Sequence, residues 1–260
     1  MGHKRLGYLP RTKAWKLIIE QLGGYALGVT ECNSIAQNTL KNVQWRYSGL
    51  TNDPSINSAF EYLVHISIAF QKENPLKYLK EKNILEKEEL SLIKIARGAL
   101  TYKSDKVESH EYQSFARQAA IDAINNWYGD NIEHGRSLFN ENVDPAIVFN
   151  KAGNGGGFCE LSRLYFSKLT ERYLKYYLDR EASTKITNLN QRNKFAGEIE
   201  KRVNDISLHA FETSKITQSF AAGWFNRNVK DEVPKTKEIK YFLRRAFGKM
   251  KSELLREEVK

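Results

Sequence analysis

The sequence predicts an all-α fold, a multi-helix body of about nine or ten helices. Three observations lead there. Apolar residues recur at spacings of three and four along most of the chain. The five prolines, Pro10, Pro54, Pro75, Pro145 and Pro234, all stand where a helix could start. Alternation of β-branched and polar residues, the mark of a half-buried strand, is almost absent.

The elements follow in order. Ala14, Leu17, Ile18 and Leu22 share one face of a helix over 12–22, which Gly23-Gly24 should stop. A second helix is expected over about 30–47. Asn52-Asp53-Pro54-Ser55 is a turn and N-cap ahead of a helix over 56–71. Pro75 opens a short helix to about Lys82, and Leu90, Ile93, Ala96 and Leu100 predict another over 85–102. The polar segment Lys103–Ser109 is the best linker, so the chain reads as one domain over 1–260 with a possible subdivision at 1–105 and 108–260. An amphipathic helix over 111–127 comes next. Residues 129–157 look irregular and end in the glycine-rich run Gly153-Asn154-Gly155-Gly156-Gly157, read as a loop before a long helix over 158–180. One helix over about 190–225 and a last one over 236–257 complete the chain.

Of the 260 residues, 41 are Lys or Arg and 31 are Asp or Glu, a net charge of +10. With 41% hydrophobic and 12% aromatic residues, a packed core is expected and disorder is excluded as the main state. The second half, 131–260, holds 24 of the basic and 17 of the acidic side chains. A basic excess of this kind points to nucleic acid or an acidic partner and says nothing about fold. Only Cys32 and Cys159 are present, far apart, which excludes a disulfide framework or zinc ribbon and fits small buried hydrophobes. With no apolar leader at the N-terminus and no run of eighteen apolar residues, a cytoplasmic protein without a membrane partner is expected.

Three basic sets are candidates for phosphate contact. Lys4, Arg5, Arg11, Lys13 and Lys16 precede the first acid, Glu20. Lys168, Arg172 and Lys175 share a face of the long helix, beside a stripe of Leu161, Tyr165, Leu169, Tyr173 and Tyr176. That stripe reads as core, with a docking or base-stacking surface as the alternative. On the last helix Lys237, Lys240, Arg244 and Lys251 line a second face, with Arg245 and Lys249 at its edges, beside the apolar face of Ile239, Phe242, Leu243, Ala246, Met250 and Leu254. Such sets neutralise a phosphate backbone without reading sequence.

Catalytic and cofactor patterns are poorly represented. The glycine run lacks the Gly-Lys-Ser/Thr end of a P-loop and the preceding strand of a dinucleotide turn. None of the five histidines lies within five residues of another, so no metal and no cofactor is expected, and His65, in an apolar run, reads as a satisfied core residue. Arg202-Val-Asn-Asp-Ile-Ser-Leu-His209 matches the loose Arg-x(4–6)-His signature of the all-α HEPN ribonucleases, a metal-independent family in which the Arg stabilises the scissile phosphate and the His moves a proton. Composition alone predicts about one such match in this chain.

Four blocks carry a resemblance: Gly-His-Lys-Arg-Leu-Gly-Tyr-Leu-Pro-Arg-Thr at 2–12, Phe158–Ser183, Phe220-Ala-Ala-Gly-Trp-Phe225, and the Tyr241–Leu255 helix. Together they resemble a group of uncharacterised, all-helical bacterial proteins encoded in multi-gene anti-phage defence loci. The resemblance implies a non-enzymatic accessory subunit that works with an enzyme or ATPase encoded nearby. The metal-independent ribonuclease using Arg202 and His209 is the alternative.

Overall fold

The computed structural model describes residues 9–85, 90–103, 107, 109–132, 143–212, 219–229 and 232–256. Among them are eleven α-helices and no strand: α1 Lys13–Ala26, α2 Cys32–Gly49, α3 Pro54–Ala69, α4 Pro75–Glu81, α5 Leu92–Thr101, α6 His110–Asn131, α7 Pro145–Asn150, α8 Gly155–Lys185, α9 Leu189–Ala210, α10 Phe220–Asn228 and α11 Thr236–Leu255.

Short polar side chains set the helix starts by accepting from a backbone N–H that the helix itself leaves unpaired. Thr12 does this for Trp15 at 3.1 Å, Asp53 for Ser55 and Ile56 at 2.9 and 3.1 Å, Asn74 for Lys77 at 3.0 Å, and Asn188 for Gln191 at 3.1 Å. Pro54, Pro75 and Pro145 occupy first-turn positions, where a missing N–H costs nothing.

The helix count exceeds the expected nine or ten for two reasons. Asp144 and Pro145 start α7 inside the stretch expected to be irregular, and a 3-10 turn over Lys151–Gly153 follows it. The helix expected over 190–225 is two: α9 ends at Ala210, and Ser219 caps α10 by accepting from the Ala221 N–H at 3.2 Å. Gly23 and Gly24 do not stop α1, since a helical glycine costs only about 1 kcal/mol. The chain turns instead at Gly28, whose φ is 77°. The expected linker lies largely outside the described residues, as do Lys4 and Arg5.

The glycine-rich segment is also not a loop. Asn154 accepts from the Gly157 N–H at 3.0 Å, and Gly155, Gly156 and Gly157 form the first turn of α8. A Cβ on Gly157 would stand 2.0 Å from the Lys151 carbonyl oxygen, and one on Gly153 would stand 2.5 Å from that of Phe70. These two glycines mark close backbone packing rather than freedom of movement.

The helix α8 is the axis of the fold. Its 31 residues span about 46 Å, and α1, α2, α3, α6, α9, α10 and α11 all pack on it. Buried on most sides, it has no single apolar stripe. Leu161, Tyr165, Leu169 and Tyr173 are buried, so that part of the aromatic stripe is core, while Tyr176 is half-buried against Phe115. One continuous set of buried apolar side chains runs from Trp15 to Leu254. Both cysteines are buried within it, and burial raises the Cys32 thiol to about 12. Among the described residues, no helix is long and apolar enough to cross a membrane.

Candidate nucleic-acid interface

The last helix is oriented by its aromatic face. Phe242 lies on Phe60 with ring centroids 4.8 Å apart, and Phe247 meets Tyr47 and Phe166 edge-on at 5.2 and 5.1 Å. With Ile239, Leu243, Ala246, Met250 and Leu254 also buried, the rotation of α11 about its axis is determined. Lys237, Tyr241, Arg244 and Arg245 therefore face solvent, and Lys240 and Lys251 stand half-buried at the flank. Lys237, Lys240, Arg244 and Lys251, at spacings of three, four and seven, form a stripe about 21 Å long. Among the described residues none of these four has an ion-pair partner. Lys249 differs: it donates to Glu212 at 3.1 Å. Lys249 and Arg245 both lie 5.4 Å above the Phe220 ring, which anchors their stems.

The helix α2 carries this stripe and the N-terminal set together. Along one flank of α2, Asn38 donates to Gln21 at 3.1 Å and Thr12 donates to Asn42 at 3.3 Å, which seats α1. About a third of a turn around the helix, Gln37 donates to the Arg256 carbonyl at 3.0 Å, which seats the end of α11. The helix α2 thus contacts both α1 and α11. Arg11, Lys13 and Lys16 are exposed at the start of α1 and have no ion pair among the described residues. Two residues that the sequence reading missed join them. Lys41 is exposed on α2, and Trp45, one turn later, is 72% exposed. The Arg46 guanidinium lies 5.4 Å above the Trp45 ring. The signal for the pair was the Lys41–Trp45 spacing of four opposite Ile35, Leu40 and Val43, readable only once the buried face of α2 is known.

The third basic set is placed differently. Lys168 and Lys175 donate to the buried Glu171 at 3.1 and 2.6 Å, Lys168 also reaches Glu200, and Arg172 reaches Asp122 on α6. Burial disfavours the Lys168 ammonium, yet Glu200 and Glu171 outweigh it and raise its pKa. Lys168 thus ties α8 to α9 and Arg172 ties it to α6, while Lys175 pairs within α8. The buried Arg163 also ties α8 to α9, donating to Asn204 at 2.9 Å and Ser207 at 3.1 Å.

Arg202 and His209 both lie on α9, about 10.5 Å apart along its axis. Arg202 is half-buried beside Cys32 of α2, whereas His209 is exposed in the last turn. Among the described residues, no group of three or more His, Cys, Asp or Glu side chains is placed to hold a metal ion.

A polar cavity of about 770 Å³ lies among α3, α4, the end of α5 and the segment before α11. His65 is the buried, satisfied residue expected and also borders this cavity: its Nδ1 is 2.9 Å from the Tyr78 hydroxyl and its Nε2 is 3.7 Å from Glu61. The Tyr102 hydroxyl donates to the same Glu61 carboxylate at 3.0 Å, and Lys103 donates to it as well. Burial opposes ionisation of Glu61, but the hydrogen bonds from His65, Lys103 and Tyr102 prevail and hold its carboxyl down at about 2. Burial, with the nearby Glu232 and Glu61 charges, pushes the Tyr78 phenol up to about 12. Sequence spacing gives no hint of this cluster beyond Glu61 and His65 one turn apart, because its members come from four separate segments.

Comparison with family models, with curated proteins and with solved structures finds no match.

Proposed function

We propose that the protein is a non-enzymatic accessory subunit of a bacterial anti-phage defence complex, binding DNA or RNA through the exposed faces of α1, α2 and α11. One observation carries this reading. Lys168, Arg172 and Lys175 of α8 are consumed in internal ion pairs, whereas Lys237, Lys240, Arg244 and Lys251 on α11 have no carboxylate partner among the described residues. Holding like charges along one stripe is unfavourable unless an anion is brought to it. Arg11, Lys13, Lys16 and Lys41 extend the charge, and Trp45 adds an exposed ring. The contact is to phosphate and sugar, so it positions a strand without reading its sequence. The enzyme or ATPase partner follows from the resemblance of the 158–183, 220–225 and 241–255 blocks to defence-locus proteins and from the lack of a catalytic motif more specific than the Arg202–His209 spacing.

Fluorescence anisotropy of a labelled duplex and a labelled single strand, repeated across salt concentrations, tests the reading. Neutralising four phosphates gives a slope of log K against log salt near about −3.6 for duplex DNA. Absence of binding at low salt removes the nucleic-acid half of the proposal. RNA cleavage in the presence of chelator, lost in His209→Ala, would replace it with the ribonuclease reading. Co-expression with the neighbouring genes should yield a stoichiometric complex.

A further inference from the structure

The hydrogen bonds around the Glu61 cavity have a direction, and the direction selects a ligand. Glu61 is a carboxylate and can only accept. The Tyr102 hydroxyl and Lys103 donate to it, and His65 Nε2 faces it. In the tautomer with its proton on Nε2, toward Glu61, Nδ1 is the acceptor and the Tyr78 hydroxyl, 2.9 Å away, donates to it. Both phenol hydrogens are then turned into the protein. What Tyr78 and Tyr102 keep for the cavity is oxygen lone pairs. Glu81 and Glu232 add two exposed carboxylates at the rim, with no ion pair among the described residues.

The rings express the same preference. Lys82 Nζ lies 5.6 Å above the Tyr78 ring and Lys103 Nζ 5.4 Å above that of Tyr102, so each aromatic face already attracts an ammonium. Three carboxylates against two ammoniums also make the cavity an acidic place on a chain of net charge +10. An anion here would meet three carboxylates beside the Lys82 and Lys103 ammoniums. An N–H-rich cation meets partners.

We propose that this cavity binds an organic cation, an ammonium or guanidinium on an alkyl stem, with its N–H groups on Tyr78, Glu81 and Glu232 and its stem along the tyrosine rings. At about 770 Å³ the cavity is within the range of small-molecule sites and admits a di- or polyamine rather than a lone ammonium ion. The proposal does not depend on the nucleic-acid reading. The same chemistry is offered by a free polyamine and by a lysine or arginine side chain of another protein.

Isothermal titration of the full chain tests it and separates the two sources. Putrescine, spermidine and agmatine probe the free source; Nα-acetyl-lysine amide and Nα-acetyl-arginine amide probe the side chain. Saturable one-to-one binding in either group is the expected result, and the tighter group identifies the source. Glu232→Gln, an exposed change that leaves the core untouched, should weaken binding about ten-fold, the loss expected of a charge-assisted hydrogen bond. Tyr78→Phe, which keeps the ring and removes the acceptor, should weaken it at least as much, with folding checked by thermal melting. No saturable heat from any of the five cations overturns the proposal. So does unchanged affinity in Glu232→Gln, and so does tighter binding of inorganic phosphate than of every cation.

Discussion

Phe242 of α11 lies nearly parallel to Phe60 of α3, the ring planes 16° apart and the centroids separated by 4.8 Å. Phe60 in turn meets Phe158, Phe166 and Trp224, so this one stack links the last helix to α8 and α10. The outward display of the α11 cations depends on it, because a helix held by a buried ring cannot rotate.

Phe242→Ala should accordingly cost about 3–5 kcal/mol, the range for deleting a buried phenylalanine. Phe242→Leu should cost clearly less, since it leaves a smaller void. Urea unfolding curves with a common slope measure both.

Charge reversal on the stripe separates binding from folding. Lys240→Glu with Arg244→Glu should lower affinity for a duplex by at least about ten-fold at moderate salt and flatten its salt dependence, with an unchanged melting temperature. Arg172→Ala should do the reverse. It removes a partly exposed pair with Asp122, costing about 1 kcal/mol or less, and leaves the salt slope of binding unchanged. Anisotropy and thermal melting of the same preparations check the contrast.

The Glu61 cluster predicts an acid limb in the stability profile. Its carboxyl titrates near 2 in the folded state against an ordinary 4.5. The unfolded chain therefore binds the proton more readily, and the stabilisation is present above about pH 4.5 and lost as pH falls toward 2. A shift of that size corresponds to roughly 3 kcal/mol. Glu61→Gln should lose stability of that order at pH 7, and the gap to the parent should close near pH 2. Denaturant titrations at several pH values read it.

Two glycines should respond oppositely to alanine. Gly197, in the exposed middle of α9, has nothing near the new Cβ, so Gly197→Ala should stabilise by about 0.5–1 kcal/mol. Gly157→Ala would drive a Cβ against the Lys151 backbone and should destabilise, with loss of the tight α7–α8 junction. Thermal melting orders the two variants on either side of the parent.

Much of the fold was legible in local signals. Asp53-Pro54, Asn74-Pro75 and the 3–4 periodicity of Ile239 to Leu254 each place a helix with its buried side, because capping and amphipathicity act within a turn or two. The gaps share a cause. Gly155–Gly157 reads as a loop by composition and is a helix start because the Lys151 backbone packs against it. His65 is buried and hydrogen-bonded as its apolar run predicts, but the cavity it borders could not be read, because the other members, Tyr78, Tyr102 and Glu232, are remote in the chain.

The sequence by itself determined the all-helical class, most helix starts, the burial of both cysteines and the basic face of α11, since these depend on composition, caps and short periodicity. Only the tertiary structure decided which cations are available. Along their helices Lys168, Arg172 and Lys175 share a face as Lys237, Lys240 and Arg244 do, and the sequence shows them only partly neutralised, by Glu171 and Asp179. What distinguishes them is Glu200 and Asp122 from neighbouring helices, alongside Glu171 held in the core. A charge is answered by whatever lies within a few ångströms of it in space, and that distance is a property of packing rather than of chain order.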